Sequence, residues 1–129
     1  MGNIVNSEQL FGLGDGDRIR SLMDRALLDG DLEHVRALSE KLTFAINQLA
    51  NLIREIRGWH LVFAGGDDIC FTIDRSAYRH DHIQNLMRCF NQITGGTMSF
   101  GVGPTMESAY LNLSRAKSRG PGVLVATDV

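Results

Sequence analysis

Lysine is nearly missing from this sequence: Lys41 and Lys117 stand against 11 arginines, and the formal net charge is -2. A protein that tracks a long nucleic-acid backbone needs a basic face, so this balance speaks against that class. Cysteine is also scarce. Cys70 and Cys89 are isolated and form neither a metal-ligand spacing nor a disulfide framework. They read as buried, reduced thiols of a cytoplasmic protein. With two prolines and no Gly-X-Y period, collagen and Pro/Gly-rich disorder are excluded. No stretch approaches about 18 uninterrupted apolar residues, so no membrane span is expected. Met1 to Phe11 has no basic segment leading into an apolar run and does not read as a signal peptide. What is present is 129 residues, 43% hydrophobic and 22% charged, which is ordinary globular composition and one domain's length. Glycine is the excess, with 14 residues against a usual share of about 7%.

Residues 1–9 read as a short polar N-terminal segment and 10–129 as a single domain. Leu10-Phe11-Gly12-Leu13-Gly14 is a short buried strand ending at Asp15-Gly16-Asp17. Ile19, Leu22, Met23, Ala26 and Leu27 recur at helical spacing until Asp29-Gly30 breaks the pattern. Asp31 is a good N-cap for a long amphipathic helix whose face runs Leu32, Val35, Leu38, Leu42, Ile46, Leu49, Ile53 and Ile56, with Gly58 ending it. His60–Ala64 and Ile69–Ile73 flank Gly65-Gly66-Asp67-Asp68 and read as a hairpin. Ser76 can cap a third helix with Ile83, Leu86, Met87, Phe90 and Ile93 inward, stopped by Gly95-Gly96. A strand over 97–102, a helix opened by Pro104 and Thr105, and a last strand over 123–126 complete the order β-α-α-β-β-α-β-α-β. This predicts an α+β, ferredoxin-like arrangement with helices on one face of a mostly antiparallel sheet.

Two acidic clusters fall at comparable places. Asp15 and Asp17 follow the first strand, and Asp67 and Asp68 sit at the hairpin tip. In a ferredoxin-like sheet the first strand lies beside the hairpin, so the clusters can converge. Packed carboxylates repel unless a cation or a proton compensates. Hard Mg²⁺ prefers oxygen ligands, and two such ions a few ångströms apart clamp an in-line displacement at phosphorus. Each motif alone is commonly just a turn; their joint placement is what points to metal. Gly16 to Arg20 opens a helix directly after a strand, a ready phosphate seat. Lys117, beside Arg115 and Arg119, is either a phosphate clamp or favourable charge at a helix C-terminus. His80-Asp81-His82 reads as a surface helix turn, because residues two apart do not face the same way. Trp59 reads as a core or dimer-contact aromatic rather than a base-stacking platform.

Phe11-Gly-Leu-Gly-Asp-Gly-Asp-Arg-Ile19, Val62-Phe-Ala-Gly-Gly-Asp-Asp-Ile-Cys-Phe71, Met98 to Leu111 and Ala116-Lys-Ser-Arg-Gly120 together resemble the minimal CRISPR polymerase domain. That family is similar to the Palm of the type III CRISPR large subunit and, more distantly, to diguanylate cyclases named for their Gly-Gly-Asp-Glu-Phe motif. The resemblance implies a Palm-like nucleotidyl cyclase that joins nucleoside triphosphates into cyclic di- or oligonucleotides for antiphage defence, with a separate effector protein sensing the product. It implies Asp15, Asp67 and Asp68 as catalytic metal ligands, with help from the Gly16 carbonyl, for two Mg²⁺ or Mn²⁺ ions. Gly65 and Gly66 would keep the turn open to a nucleotide. Lys117 would hold the triphosphate, with backbone donors from Asp17, Arg18 and Ile19. The chain differs from diguanylate cyclases in carrying Asp68-Ile69 where they carry Glu-Phe.

A chain of this length has no room for the elements that hold a template. No template and a homodimer of facing half-sites are therefore expected, with ATP favoured and no membrane insertion. The competing reading is a non-catalytic nucleotide-binding sensor of the same fold. Nine of the glycines, at 12, 14, 16, 65, 66, 95, 96, 101 and 103, are expected to let backbone approach phosphate and sugar.

Overall fold

A computed structural model describes residues 8–129. The N-terminal segment expected over residues 1–9 lies, up to residue 7, outside the described residues. The chain runs β1 (Gln9–Gly16), α1 (Ile19–Leu28), α2 (Leu32–Glu55), β2 (Trp59–Gly65), β3 (Asp68–Asp74), a 3-10 turn (Arg75–Ala77), α3 (His80–Thr94), β4 (Met98–Gly103), α4 (Met106–Ser118) and β5 (Leu124–Ala126). This is the order expected from the sequence. The strands lie in the order β2-β3-β1-β4-β5. β1 is central and antiparallel to both β3 and β4, and only β4 and β5 are parallel.

Local chemistry explains most boundaries. The Asp31 carboxylate accepts the His34 N–H at 3.0 Å and starts α2. Thr105 and Ser108 form a reciprocal capping box at the start of α4. Gly95, at φ 76°, closes α3 in the left-handed conformation. Two boundaries move. Ser76 lies in the 3-10 turn, and α3 begins four residues later at His80 after extended Arg79. Gly58 is left-handed at φ 82°, but α2 has already ended at Glu55, so the glycine turns the chain into β2.

The main core lies between one sheet face and the helices α2 and α3. Leu10, Ile69, Phe71, Ile73, Met98, Phe100 and Val102 point into it from the strands, against Ile46, Leu49 and Ile53 of α2 and Ile83, Leu86 and Phe90 of α3. Trp59 joins this core. Its ring stacks on Phe71 with centroids 5.3 Å apart, and its indole N–H donates to the Ala77 carbonyl at 3.0 Å. The expected one-faced helix layer holds for the unit that ends with β4. It fails for α4. Side chains alternate along a strand, so Gly101 and Gly103 face away from Met98, Phe100 and Val102, and a Cβ at either would meet α4. Helix α4 therefore covers the opposite face, which is why all six residues of β4 are buried. Among the described residues no helix is long and apolar enough to cross a membrane.

The glycines sort differently from expectation. A Cβ at Gly12 would strike the Phe71 ring and one at Gly14 the Phe100 ring, so these two make room for core aromatics rather than for phosphate. A Cβ at Gly101 would press on the Leu113 and Ala109 backbone. Gly65 and Gly66 do face open space, with Gly66 at φ 57°. Gly101→Ala is thus expected to cost about 3 kcal/mol by forcing α4 off the sheet. Gly66→Ala should cost only about 1 kcal/mol, from its left-handed backbone alone. Urea unfolding of the two variants checks the ranking.

Candidate active site

β1 and β3 carry their acids to the same sheet end because Asp15 and Asp68 are direct cross-strand partners. The turn adds Asp67, whose carbonyl accepts the Gly16 N–H at 3.0 Å. One carboxylate oxygen from each of Asp15, Asp67 and Asp68 lies within 4.8 Å of the others. Like charges directly opposite on a sheet destabilise it. A hydrogen bond with Asp15, burial and repulsion from Asp15 and Asp67 push the Asp68 carboxyl up to about 7, against the pull of Lys117. Asp67 is raised as well, first by burial and then by Asp15. An all-oxygen, anion-rich donor set of this kind fits a hard divalent cation such as Mg²⁺ or Mn²⁺.

Asp17 does not join them. It is buried, and its carboxylate accepts from Thr97 Oγ1 at 2.8 Å, Ser99 Oγ at 2.9 Å, the Gly122 N–H at 2.7 Å and Lys117 Nζ at 2.9 Å. Burial works to raise its carboxyl, but these donors outweigh it and hold the group below the usual carboxylate range. Three acids converge, and the fourth is withdrawn as an anchor. No local signal marks Thr97, Ser99 and Gly122 as the partners of Asp17, although Ser99 lies within the Met98–Leu111 segment that carries the family resemblance. Ser99 stands out only as a polar side chain in a strand otherwise made of glycine and apolar residues.

Lys117 reaches the site from the end of α4. Its Nζ donates to the Asp15 carbonyl at 3.0 Å, the Gly16 carbonyl at 2.9 Å and Asp17 Oδ1 at 2.9 Å, and lies 3.2 Å from Asp15 Oδ2. An ammonium has three protons to donate. Lys117 is therefore the compensating cation of the acidic cluster, and a phosphate would have to replace one of these acceptors. The Gly16 carbonyl, expected to help a metal, is one of them.

The expected phosphate donors divide. The Gly16 N–H is taken by Asp67 and the Asp17 N–H by the Thr97 carbonyl at 2.9 Å. Arg18, left-handed at φ 57°, precedes α1 without a side-chain cap among the described residues. The amides that open α1, beginning with Ile19, have no intrahelical partner. A cavity of about 160 Å³ lies here, lined by Asp17, Arg18, Lys117, Gly120 and Pro121. A second, of about 220 Å³, is lined by Asp15, Tyr110, Leu113, Ser114 and Lys117.

The Asp15 strand end, the acidic hairpin tip and a lysine reaching back from α4 occur together over nearly the whole chain, and residues 11–127 match the minimal CRISPR polymerase domain. The chain belongs to that family. No curated protein matches it. Solved structures share its fold. An apo Csm1–Csm4 cassette superposes with a TM-score of 0.73 at 18% identity, covering 92% of this chain and 20% of that one. The cassette in complex with pppApApA gives 0.70 at 19%, covering 89% and 20%. The active GGEEF domain of a diguanylate cyclase from Vibrio cholerae gives 0.58 at 14%, covering 92% and 83%. The chain spans about a fifth of the length of the Csm1–Csm4 chains it matches. The family is that of the minimal CRISPR polymerase domain, and the fold is shared with the Csm1–Csm4 chains and the GGEEF domain.

Asp17 and Asp68 each set expected outcomes. Asp17→Ala leaves the Lys117 ammonium without its buried partner and should cost about 3 kcal/mol in urea unfolding. The contribution of Asp17 is present above the ordinary carboxyl range and disappears as pH falls through and below it. Asp68 acts in the opposite sense. It keeps its proton to about 7 when folded but loses it near 3.8 when unfolded, so the metal-free fold weakens as pH rises between those values. A divalent ion must displace that proton. The rise in Tm caused by Mn²⁺ or Mg²⁺ should therefore be larger at pH 8 than at pH 6, and should vanish when Asp67 and Asp68 are both replaced by Asn.

Proposed function

We propose that the protein is a divalent-metal-dependent nucleotidyltransferase that joins nucleoside triphosphates into a cyclic di- or oligonucleotide signal for antiphage defence. The observation that carries this reading is the convergence of Asp15, Asp67 and Asp68 within 4.8 Å, beside an open helix N-terminus. Held by these three carboxylates, two Mg²⁺ or Mn²⁺ ions would lower the pKa of an attacking ribose hydroxyl and neutralise the leaving pyrophosphate. The hydroxyl oxygen forms a bond to the α-phosphorus, the α–β phosphoanhydride breaks, pyrophosphate leaves with the electron pair, and the hydroxyl proton passes to water.

The chain's own residues position these groups. The Arg18–Ile19 amides and the Arg18 guanidinium seat the triphosphate. Lys117 fixes the Asp15 and Gly16 carbonyls and so holds β1 against its own charge. The Csm1–Csm4 cassette is known with pppApApA bound, which supports ATP as the favoured substrate. One catalytic domain over residues 10–129 supplies one half-site. A homodimer that brings two of them face to face would bind both nucleotides without a template. The product would act on a separate effector protein, all within the cytoplasm.

The test is incubation with each nucleoside triphosphate and Mg²⁺ or Mn²⁺, with products read by mass spectrometry. A cyclic phosphodiester product is expected, and Asp67→Ala with Asp68→Ala should abolish it. Tight nucleotide binding with no product from any triphosphate would overturn synthesis in favour of a sensor.

A further inference from the structure

The two edges of the sheet differ in character. β5 has three residues, and a strand that short offers little to pair with. β2 forms the other edge over the seven residues Trp59–Gly65. It contains no proline, lysine, aspartate or glutamate, the usual protections of an exposed edge. Among the described residues no strand pairs with its outer side. Its register against β3 shifts between Leu61 and Phe63, so Val62 has no partner on that strand. Bulges of this kind re-aim side chains. Here they leave two successive apolar residues at the surface, Val62 at 59% and Phe63 at 51% exposure.

Helix α2 lies along this edge. It ends at Glu55 and β2 begins at Trp59, so the two run antiparallel, with Arg54 toward the Trp59 end and Asn47 toward the hairpin turn. A groove of about 540 Å³ separates them, larger than either cavity at the acidic end of the sheet. Leu61 to Ala64 form one wall, and Asn47, Asn51 and Arg54, at positions i, i+4 and i+7, form the other. Arg54 is the one charged residue of the lining. It donates to Asn51 Oδ1 at 3.2 Å, which uses one of the five N–H groups of a guanidinium. Among the described residues no carboxylate pairs with it. The groove thus combines an open strand edge, an apolar wall and an unanswered cation. A second copy of β2 would not answer Arg54, since Trp59–Gly65 contains no acid.

We propose that this groove binds an extended segment of a partner protein as an added strand, antiparallel to β2, with apolar side chains against Val62 and Phe63 and a carboxylate near its C-terminal end on Arg54. In this mode main-chain hydrogen bonds supply affinity and side chains supply specificity. The antiparallel direction puts the C-terminal end of the segment at the Trp59 end of β2, where Arg54 stands. None of the groove residues belongs to the acidic cluster, and the proposal does not depend on the cyclase reading.

The probe is the acetylated and amidated peptide Thr-Val-Thr-Val-Thr-Val-Glu-Glu, titrated into the isotope-labelled full chain. Amide shifts should concentrate at residues 47–54 and 59–65 and spare residues 110–117. Replacing both glutamates by glutamine should weaken binding about fivefold, the upper range for one exposed ion pair. Arg54→Ala should weaken the glutamate peptide by a similar factor and leave the glutamine peptide unchanged. Arg54 is exposed, so the variant keeps the fold. Methylating the backbone nitrogens of the valines, or of the threonines, separates strand addition from apolar contact. Alternate amides of a strand point to opposite edges, so one methylated peptide should lose binding and the other should keep it. Shifts that map elsewhere, no binding at millimolar peptide, equal affinity of the glutamine peptide, or the same effect from both methylations each overturn the proposal. Shifts at residues 59–65 that appear with rising protein concentration alone overturn it in favour of a second copy on this edge.

Discussion

The Asp17–Lys117 contact holds the site together. Three carboxylates at the ends of two neighbouring strands would by themselves force β1 and β3 apart. Lys117 offsets this by placing its ammonium between the Asp15 carbonyl, the Gly16 carbonyl and Asp17. A lone lysine on a flexible stem would not stay there, because holding it costs rotamer entropy. Asp17 fixes it, and is itself fixed by Thr97, Ser99 and Gly122. The charge that makes the acidic cluster tolerable is thus anchored in β4 and in the loop before β5.

This divides the labour within the fold. The β-α-β-β-α-β unit supplies the acids, through the β1–β3 register and the hairpin tip. The α4–β5 extension supplies the compensating cation and one wall of each cavity. It can do so because α4 covers the sheet face opposite α2 and α3, the face toward which Asp15 and Asp68 alternate with the core residues of their strands. Had all the helices lain on one face, Lys117 would have ended on the wrong side of the sheet from Asp15.

The element order and the meeting of the two acidic clusters are legible in the sequence, and the choice of Asp15, Asp67 and Asp68 among the four acids is what the family resemblance implies. Asp31 caps its helix, Gly66 turns its hairpin, and strand alternation carries Asp15 and Asp68 to one face. What failed was non-local. Nothing near Asp17 in sequence marks it as an anchor rather than a ligand; its partners lie 80 to 105 residues away. The placement of α4 is not legible because the clue is a pair of glycines, Gly101 and Gly103, whose lack of side chain signals close approach without saying of what. Lys117 stands out as a functional position only through the family resemblance, and its partners within the chain are not legible, since a helix-terminal lysine carries no mark of what it reaches.

The glycine excess is better explained by packing than by phosphate. Gly12 and Gly14 on β1 give space to Phe71 and Phe100 from the flanking strands, so the central strand is covered on its core face by its neighbours' rings. Gly101 and Gly103 let α4 descend onto the other face until its backbone touches the sheet. The first device admits aromatic rings over β1, and the second brings the α4 backbone against β4, the strand beside β1. A Lys side chain rising from α4 can span to the end of β1 only if the helix sits that near. The glycines therefore serve the chemistry at one remove: they set the distance across which Lys117 meets Asp15 and Asp17, and Gly65 and Gly66 are left to keep the hairpin tip open.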